Sequence, residues 1–179
     1  MLNHSVIEQI LPLKSPFLMV DMVSSYQNNP FPKIRTQRMI SSLEPFFASD
    51  SILNELPSVY IIEGLAQSSI LLSILLSYEK SNPDVRMGDN SLLNYVSSNL
   101  DDINANRLVG EVEKTLDSAG LLAEVDVEIF GKVFQGDILM FEVEQMKVYA
   151  DISRYRVKAF VGENEVANGF LTGSKRNRM

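Results

Sequence analysis

The sequence contains no cysteine and only one histidine, His4. The first absence excludes a disulfide, a thiol nucleophile and any thiolate-ligated metal. The second leaves a His-rich metal site or a Ser-His-Asp triad dependent on one residue near the chain terminus. No metal and no resident cofactor are therefore expected. Basic residues are also scarce: 16 Lys and Arg against 23 Asp and Glu give a net charge of -7. That balance repels nucleic-acid phosphate and anionic lipid headgroups, so neither is an expected partner. The only basic cluster, Lys175, Arg176 and Arg178 in the tail 173–179, reads as a solvated terminus. The opening residues lack a basic n-region, an uninterrupted apolar stretch and a small-residue cleavage site. No secretory signal is read, and a cytoplasmic location is expected.

What the chain does have is apolar residues in order. Its 179 residues are 45% hydrophobic, enough for a single domain over 1–179 that buries a sizeable core. One stretch, 59–78, approaches the length needed to cross a bilayer. Glu63, Gln67 and four serines interrupt it, and its flanks have no Lys/Arg asymmetry. It reads as a buried core helix, and no membrane span is expected.

Strand patterns flank that helix. Residues 17–23 and 33–40 alternate in part and are separated by Gln27-Asn28-Asn29-Pro30, which suits a hairpin turn. After the helix, 121–133, 137–149, 153–161 and 165–172 are rich in Val, Ile, Phe and Tyr and are broken by turn residues. They read as an antiparallel meander. Residues 80–120, polar at first, are an insertion or lid candidate, with an ordinary surface helix and strand as the alternative. The expected class is α+β, one long helix wrapped by an antiparallel sheet. An open sheet edge makes a dimer that continues the sheet the natural solution.

Three stretches carry a resemblance: Ile10-Leu11-Pro12-Leu13-Lys14-Ser15-Pro16-Phe17-Leu18-Met19-Val20-Asp21, then Glu44-Pro45-Phe46-Phe47, then Ile61-Ile62-Glu63-Gly64-Leu65-Ala66-Gln67. In order, spacing and residue type they resemble the 3-hydroxyacyl-acyl-carrier-protein dehydratases of the hotdog fold. Residues 131–139 (GKVFQGDIL) are similar to that family's Pro-Gly-Asp strand entry, with Gln135 in place of Pro. The resemblance implies a single hotdog domain, dimerisation through the sheet, and an acyl chain entering a tunnel at the dimer interface. That acyl chain would arrive on the phosphopantetheine of an acyl carrier protein or as acyl-CoA.

The departures bear on chemistry. The family carries a His shortly after the paired Phe, which removes the proton alpha to the thioester while a helix carboxylate handles the departing hydroxyl. Here residues 48–57 contain no His, are one residue shorter up to Glu63, and place Asp50 at the catalytic position. The family's earlier His-Arg pair is Leu13-Lys14. Glu63 matches the helix carboxylate, and its apolar surroundings would favour a raised pKa suited to acid–base work. The alternative is an inherited carboxylate bonded to Gln67. Gln67, one turn on, is placed to orient Glu63 or bind a thioester carbonyl, or else to satisfy backbone at the interface. Asp50 is a weak base unless desolvated and otherwise a turn or cap residue. Phe46 and Phe47 read as core or tunnel-lining. Pro57 and Ser58 resemble the family's Pro-Gly before the helix, where free amides polarise a carbonyl oxygen.

Because the family's site is a composite of His from one protomer and carboxylate from the other, the expected function is that of a dehydratase-like subunit. It would act on or bind acyl thioesters in fatty-acid or polyketide-type biosynthesis and rely on a His-bearing partner. Homodimer and heterodimer with another hotdog subunit both stand open. So do two rival functions, a thioesterase using Glu63 and a non-catalytic acyl-binding scaffold.

Overall fold

The Asn-Asn-Pro turn closes the hairpin expected of it, joining β1 (Met22–Gln27) to β2 (Lys33–Met39) in antiparallel register with Val23 opposite Thr36 and Tyr26 opposite Ile34. The computed structural model describes residues 1–11, 13–44, 47, 55–81, 93, 96 and 122–174. Pro57, whose missing N–H suits a helix start, precedes α2 (Ser58–Ser81). Four strands follow: β3 (Leu122–Ile129), β4 (Ile138–Tyr149), β5 (Ile152–Val161) and β6 (Asn164–Ser174). All six belong to one antiparallel sheet in the order β1-β2-β4-β5-β6-β3, and α2 packs on one face of it.

Period-two alternation decides which side chains meet the helix. Leu139, Phe141 and Val143 of β4 and Tyr155, Val157 and Ala159 of β5 are buried, joined by Ile34 and Thr36 of β2 and by Ala167 and Leu171 of β6. The intervening positions turn outward and hold charge: Lys33 and Arg35 of β2 both bond Glu142 of β4, at 2.8 and 2.7 Å. By length and composition α2 would pass for a membrane span, but more than half of its apolar core is buried inside this fold. Its serines are accommodated one by one. Ser68 Oγ bonds the Gly64 carbonyl and meets Thr36 Oγ1 at 2.7 Å, while Ser73 Oγ bonds the Ser69 carbonyl and meets Tyr155 Oη at 2.7 Å.

Four expectations need correction. The first strand begins at Met22, not at residue 17, because Phe17 and Met19 spend their backbone groups on the Gln67 side chain. The strands after the helix do not form a simple meander. β3 lies at the far edge beside β6, and the connection crosses over: Gly131 N bonds Val166 O, and 133–137 then pairs with Ile40 and Leu56. β6 runs to Ser174, so Gly173 and Ser174 are strand rather than tail, and α2 runs to Ser81, inside the start of the 80–120 stretch. The rest of that stretch, apart from Leu93 and Val96, and the tail from 175 lie outside the described residues.

An element the sequence reading did not anticipate is α1 (His4–Ile10). Asn3 caps it, its Oδ1 accepting from Val6 N at 3.2 Å, and Val6, Ile7 and Ile10 enter the core. Leu2, just before it, makes two backbone bonds with Val23 along the outer edge of β1.

Candidate functional site

Glu63 and Gln67 lie one turn apart on α2, and their side chains touch: Gln67 Nε2 donates to Glu63 Oε1 at 2.8 Å. The same nitrogen donates to Phe17 O at 2.7 Å, and Gln67 Oε1 accepts from Met19 N at 2.7 Å. Gln67 is fully buried. Both of its amide hydrogens are therefore in use, which leaves none for a substrate carbonyl. Of the roles open to it, orienting the carboxylate is the one this geometry has, together with tying segment 17–19 to the helix.

Glu63 Oε2 has no hydrogen-bond partner among the described residues. The side chain belongs to a stripe on α2, formed by Val59, Ile62, Glu63, Ala66, Ile70, Ser73 and Ser77, that the sheet leaves half-buried or exposed. The helix is therefore apolar all round, as expected, but dry on only part of its circumference. The close fit on the covered side is set by Gly64: a Cβ there would lie 2.1 Å from Phe141 Cζ, so the Phe141 ring fills the space a side chain would take.

Pro57 and Ser58 are exposed at the start of the helix, and the amides of Ser58 and Val59 meet no acceptor among the described residues. Val59 is one turn before Glu63 on the open stripe, so its free amide lies about 6 Å from the carboxylate-bearing residue along the axis. The helix start is held by Leu56 N bonding Val133 O at 2.7 Å and by an isolated bridge between Glu55 and Phe134. The turn after it is shaped by Asp137, whose Oδ2 accepts from Phe134 N at 2.7 Å, and by Gly136 at φ 91°. Gln135, where the resemblance implies Pro, lies within this turn. Phe47 is partly buried against the core, its amide bonding Glu44 O at 2.9 Å. Phe46 and Asp50 lie outside the described residues.

Sequence reasoning missed Arg38. From β2 it bonds Asp21 at 2.8 Å and also Glu44, joining the end of the first motif to the start of the second. Asp21 in addition accepts from Met39 N at 2.8 Å and meets His4 Nδ1 at 3.3 Å. The charged residues inside two of the three matched motifs therefore serve the fold, and the lone histidine is engaged with Asp21. The signal available was an Arg near the end of an alternating strand, between two acidic motif residues. Among the described residues no cluster of His, Asp and Glu is arranged to hold a metal.

Comparison with known proteins agrees with this arrangement. No family model matches the chain. Among curated proteins, the 3-hydroxyacyl-acyl-carrier-protein dehydratase FabZ of Chromobacterium violaceum is 29% identical over 156 residues, 87% of this chain and 81% of the relative. The FabZ of Lawsonia intracellularis is 26% identical over 178 residues, covering 98% and 94%. Among solved structures, the dehydratase heterocomplex ApeI:P from Xenorhabdus doucetiae contains a chain with TM-score 0.59 and 17% identity, matched over 96% of this chain and 91% of that one. At that identity the likeness speaks to the fold, which is the helix-in-sheet arrangement described above. The chain has the hotdog fold and is similar in sequence to the FabZ dehydratases.

Proposed function

We propose that this protein is the carboxylate-bearing subunit of a hotdog assembly that acts on acyl thioesters, with Glu63 completing a dehydratase site only beside a partner that supplies histidine. The observation that carries this reading is Glu63 itself: it lies on the open stripe of α2, is held by the buried Gln67, and keeps one oxygen free among the described residues. Residues 48–57 have no His, and the only histidine of the chain is paired with Asp21. The named activity of the curated relatives supports 3-hydroxyacyl thioesters on an acyl carrier protein as substrates, with acyl-CoA as the alternative carrier.

In the dehydration that follows, the partner's imidazole takes the proton from the carbon alpha to the thioester. The Ser58 and Val59 amides face developing charge on the carbonyl oxygen, and the Glu63 carboxyl passes a proton to the departing hydroxyl, which leaves as water. The chain supplies one half of an acid–base pair. The acyl group is substrate, carried by phosphopantetheine, so no resident cofactor enters. Cytoplasmic biosynthesis of fatty-acid or polyketide type is the setting this chemistry fits.

The same free amides and carboxylate favour a second reading, thioester hydrolysis with Glu63 as nucleophile or base, which needs no histidine. Two assays separate them: dehydration of a 3-hydroxyacyl thioester and hydrolysis of a saturated one, each with the chain alone and with a His-bearing hotdog subunit. Dehydration only in the mixture supports the half-site, hydrolysis by the chain alone replaces it, and inertness in both leaves an acyl-binding scaffold.

A further inference from the structure

The strand β3 sorts its side chains by charge. Paired with β6 at Val125–Leu171, Val127–Gly169 and Ile129–Ala167, it turns Val125, Val127 and Ile129 toward the helix side; Glu124, Asp126 and Glu128 point to the opposite face. The three carboxylates are exposed, and none is ion-paired among the described residues; Glu124 only accepts from Thr172 Oγ1 at 3.1 Å. No described strand lies beyond β3, whereas the other edge of the sheet, β1, is covered in part by Leu2. The apolar residues Leu122 and Val125 of the open edge remain 45% and 43% exposed.

An open edge with apolar residues on one face invites a further strand. A second copy of this chain is a poor donor. Two-fold antiparallel pairing of β3 with itself, keeping both helices on one side of the sheet, sets like charge against like charge: centred on Asp126, it puts Asp126 opposite its own copy and Glu124 opposite Glu128 twice. Neighbouring registers exchange these pairs for others of the same sign. Like charges directly opposite each other weaken a sheet, and screening by salt relieves them.

We propose that the outward carboxylates of β3 select against the homodimer, and that this edge is built to pair with a different hotdog chain whose edge strand presents Lys or Arg outward. The partner's fold rests on the half-site reading above, since a site without histidine is incomplete until another chain joins it. The charge selection rests on β3 alone.

The test uses the full chain and a charge-reversed copy of it, E124K/D126K/E128K, as the basic strand. Dissociation constants are measured by sedimentation equilibrium for wild type alone, the reversed chain alone and the equimolar mixture. At about 50 mM salt the mixed dimer should be roughly ten-fold or more tighter than either homodimer, and at about 500 mM the difference should largely vanish. The neutral variant E124Q/D126Q/E128Q should self-associate more tightly than wild type at low salt, which keeps the test decisive if the reversed chain does not fold. A wild-type homodimer as tight as the mixed one, or no gain in the neutral variant, overturns the proposal. Association is read without reference to Glu63. A charge-selected mixed dimer alongside a Glu63→Gln complex of full activity would therefore retire the half-site and leave the interface standing.

Discussion

Replacing Gln67 with Met keeps the approximate volume of the side chain and deletes three hydrogen bonds. Their worth follows from burial. Met19 is 3% exposed, so its amide is left with neither protein nor water, a loss of about 1–3 kcal/mol. Phe17 is exposed, so its carbonyl recovers water and loses about 0.5–1 kcal/mol; the bond to the half-buried Glu63 adds about 0.5–1 kcal/mol. The sum is about 2–5 kcal/mol, against a total stability of about 5–15 kcal/mol for a domain. In urea unfolding the midpoint should fall with little change in slope, and Tm should drop by roughly 5–15 °C. Gln67→Glu is the sharper control. It retains an acceptor for Met19 but turns a second acceptor on Phe17 O and Glu63, so it should be no better than Met at neutral pH. A loss under about 0.5 kcal/mol for Gln67→Met would refute the view that this side chain ties segment 17–19 to the helix.

Three further outcomes are expected. Arg38→Met strands the Glu44 carboxylate, whose side chain is 9% exposed, and should cost about 3 kcal/mol; adding Glu44→Gln should restore part of it, and strict additivity in that double-mutant cycle would contradict the pairing. Gly64→Ala should destabilise by about 1–3 kcal/mol or more through the clash with the Phe141 ring, and Phe141→Leu in the same chain should relieve some of it, as thermal melts of the two single variants and the double would report. Burial alone would raise the Glu142 carboxyl, but hydrogen bonds and charge from Lys33 and Arg35 hold it below its ordinary range. A depressed carboxylate stabilises the fold above its unfolded-state pKa, and that contribution is lost as pH falls through the folded value. The Tm gap between wild type and Glu142→Gln should thus be widest near neutral pH and close below about pH 4, and a gap constant with pH would refute it.

How much of this was legible in the sequence follows from what each element depends on. The long helix, the 27–30 turn and the four later strands are written in local periodicity and turn chemistry and form at those places, although β3 ends at Ile129 rather than at residue 133, because 130–137 turns away to pair with Ile40, Leu56 and Val166. The position of β3 at the far edge is not local. It depends on Gly131 bonding Val166 and on 133–137 pairing with Ile40 and Leu56, contacts between segments distant in sequence. The start of β1 at Met22 has a similar origin, since the backbone at 17–19 is satisfied by a glutamine about fifty residues away rather than by a strand. Within the site, the Glu63–Gln67 pair follows from helical spacing, whereas the clasp of Arg38 on Asp21 and Glu44 appears only once two motifs and a strand converge. The open stripe on α2 is invisible to a pattern of apolar residues because every face of that helix is apolar; only the placement of the sheet decides which one is left uncovered.

The central claim is that Glu63 works as half of a shared site. It is tested most directly by turnover of a 3-hydroxyacyl thioester in a complex of this chain with a His-bearing hotdog subunit, comparing wild type with Glu63→Gln. The amide keeps the shape and the bond to Gln67 while removing the ionisable group, so the complex should assemble equally well and lose about a hundred-fold or more in kcat. Equal turnover in the two complexes would contradict the claim.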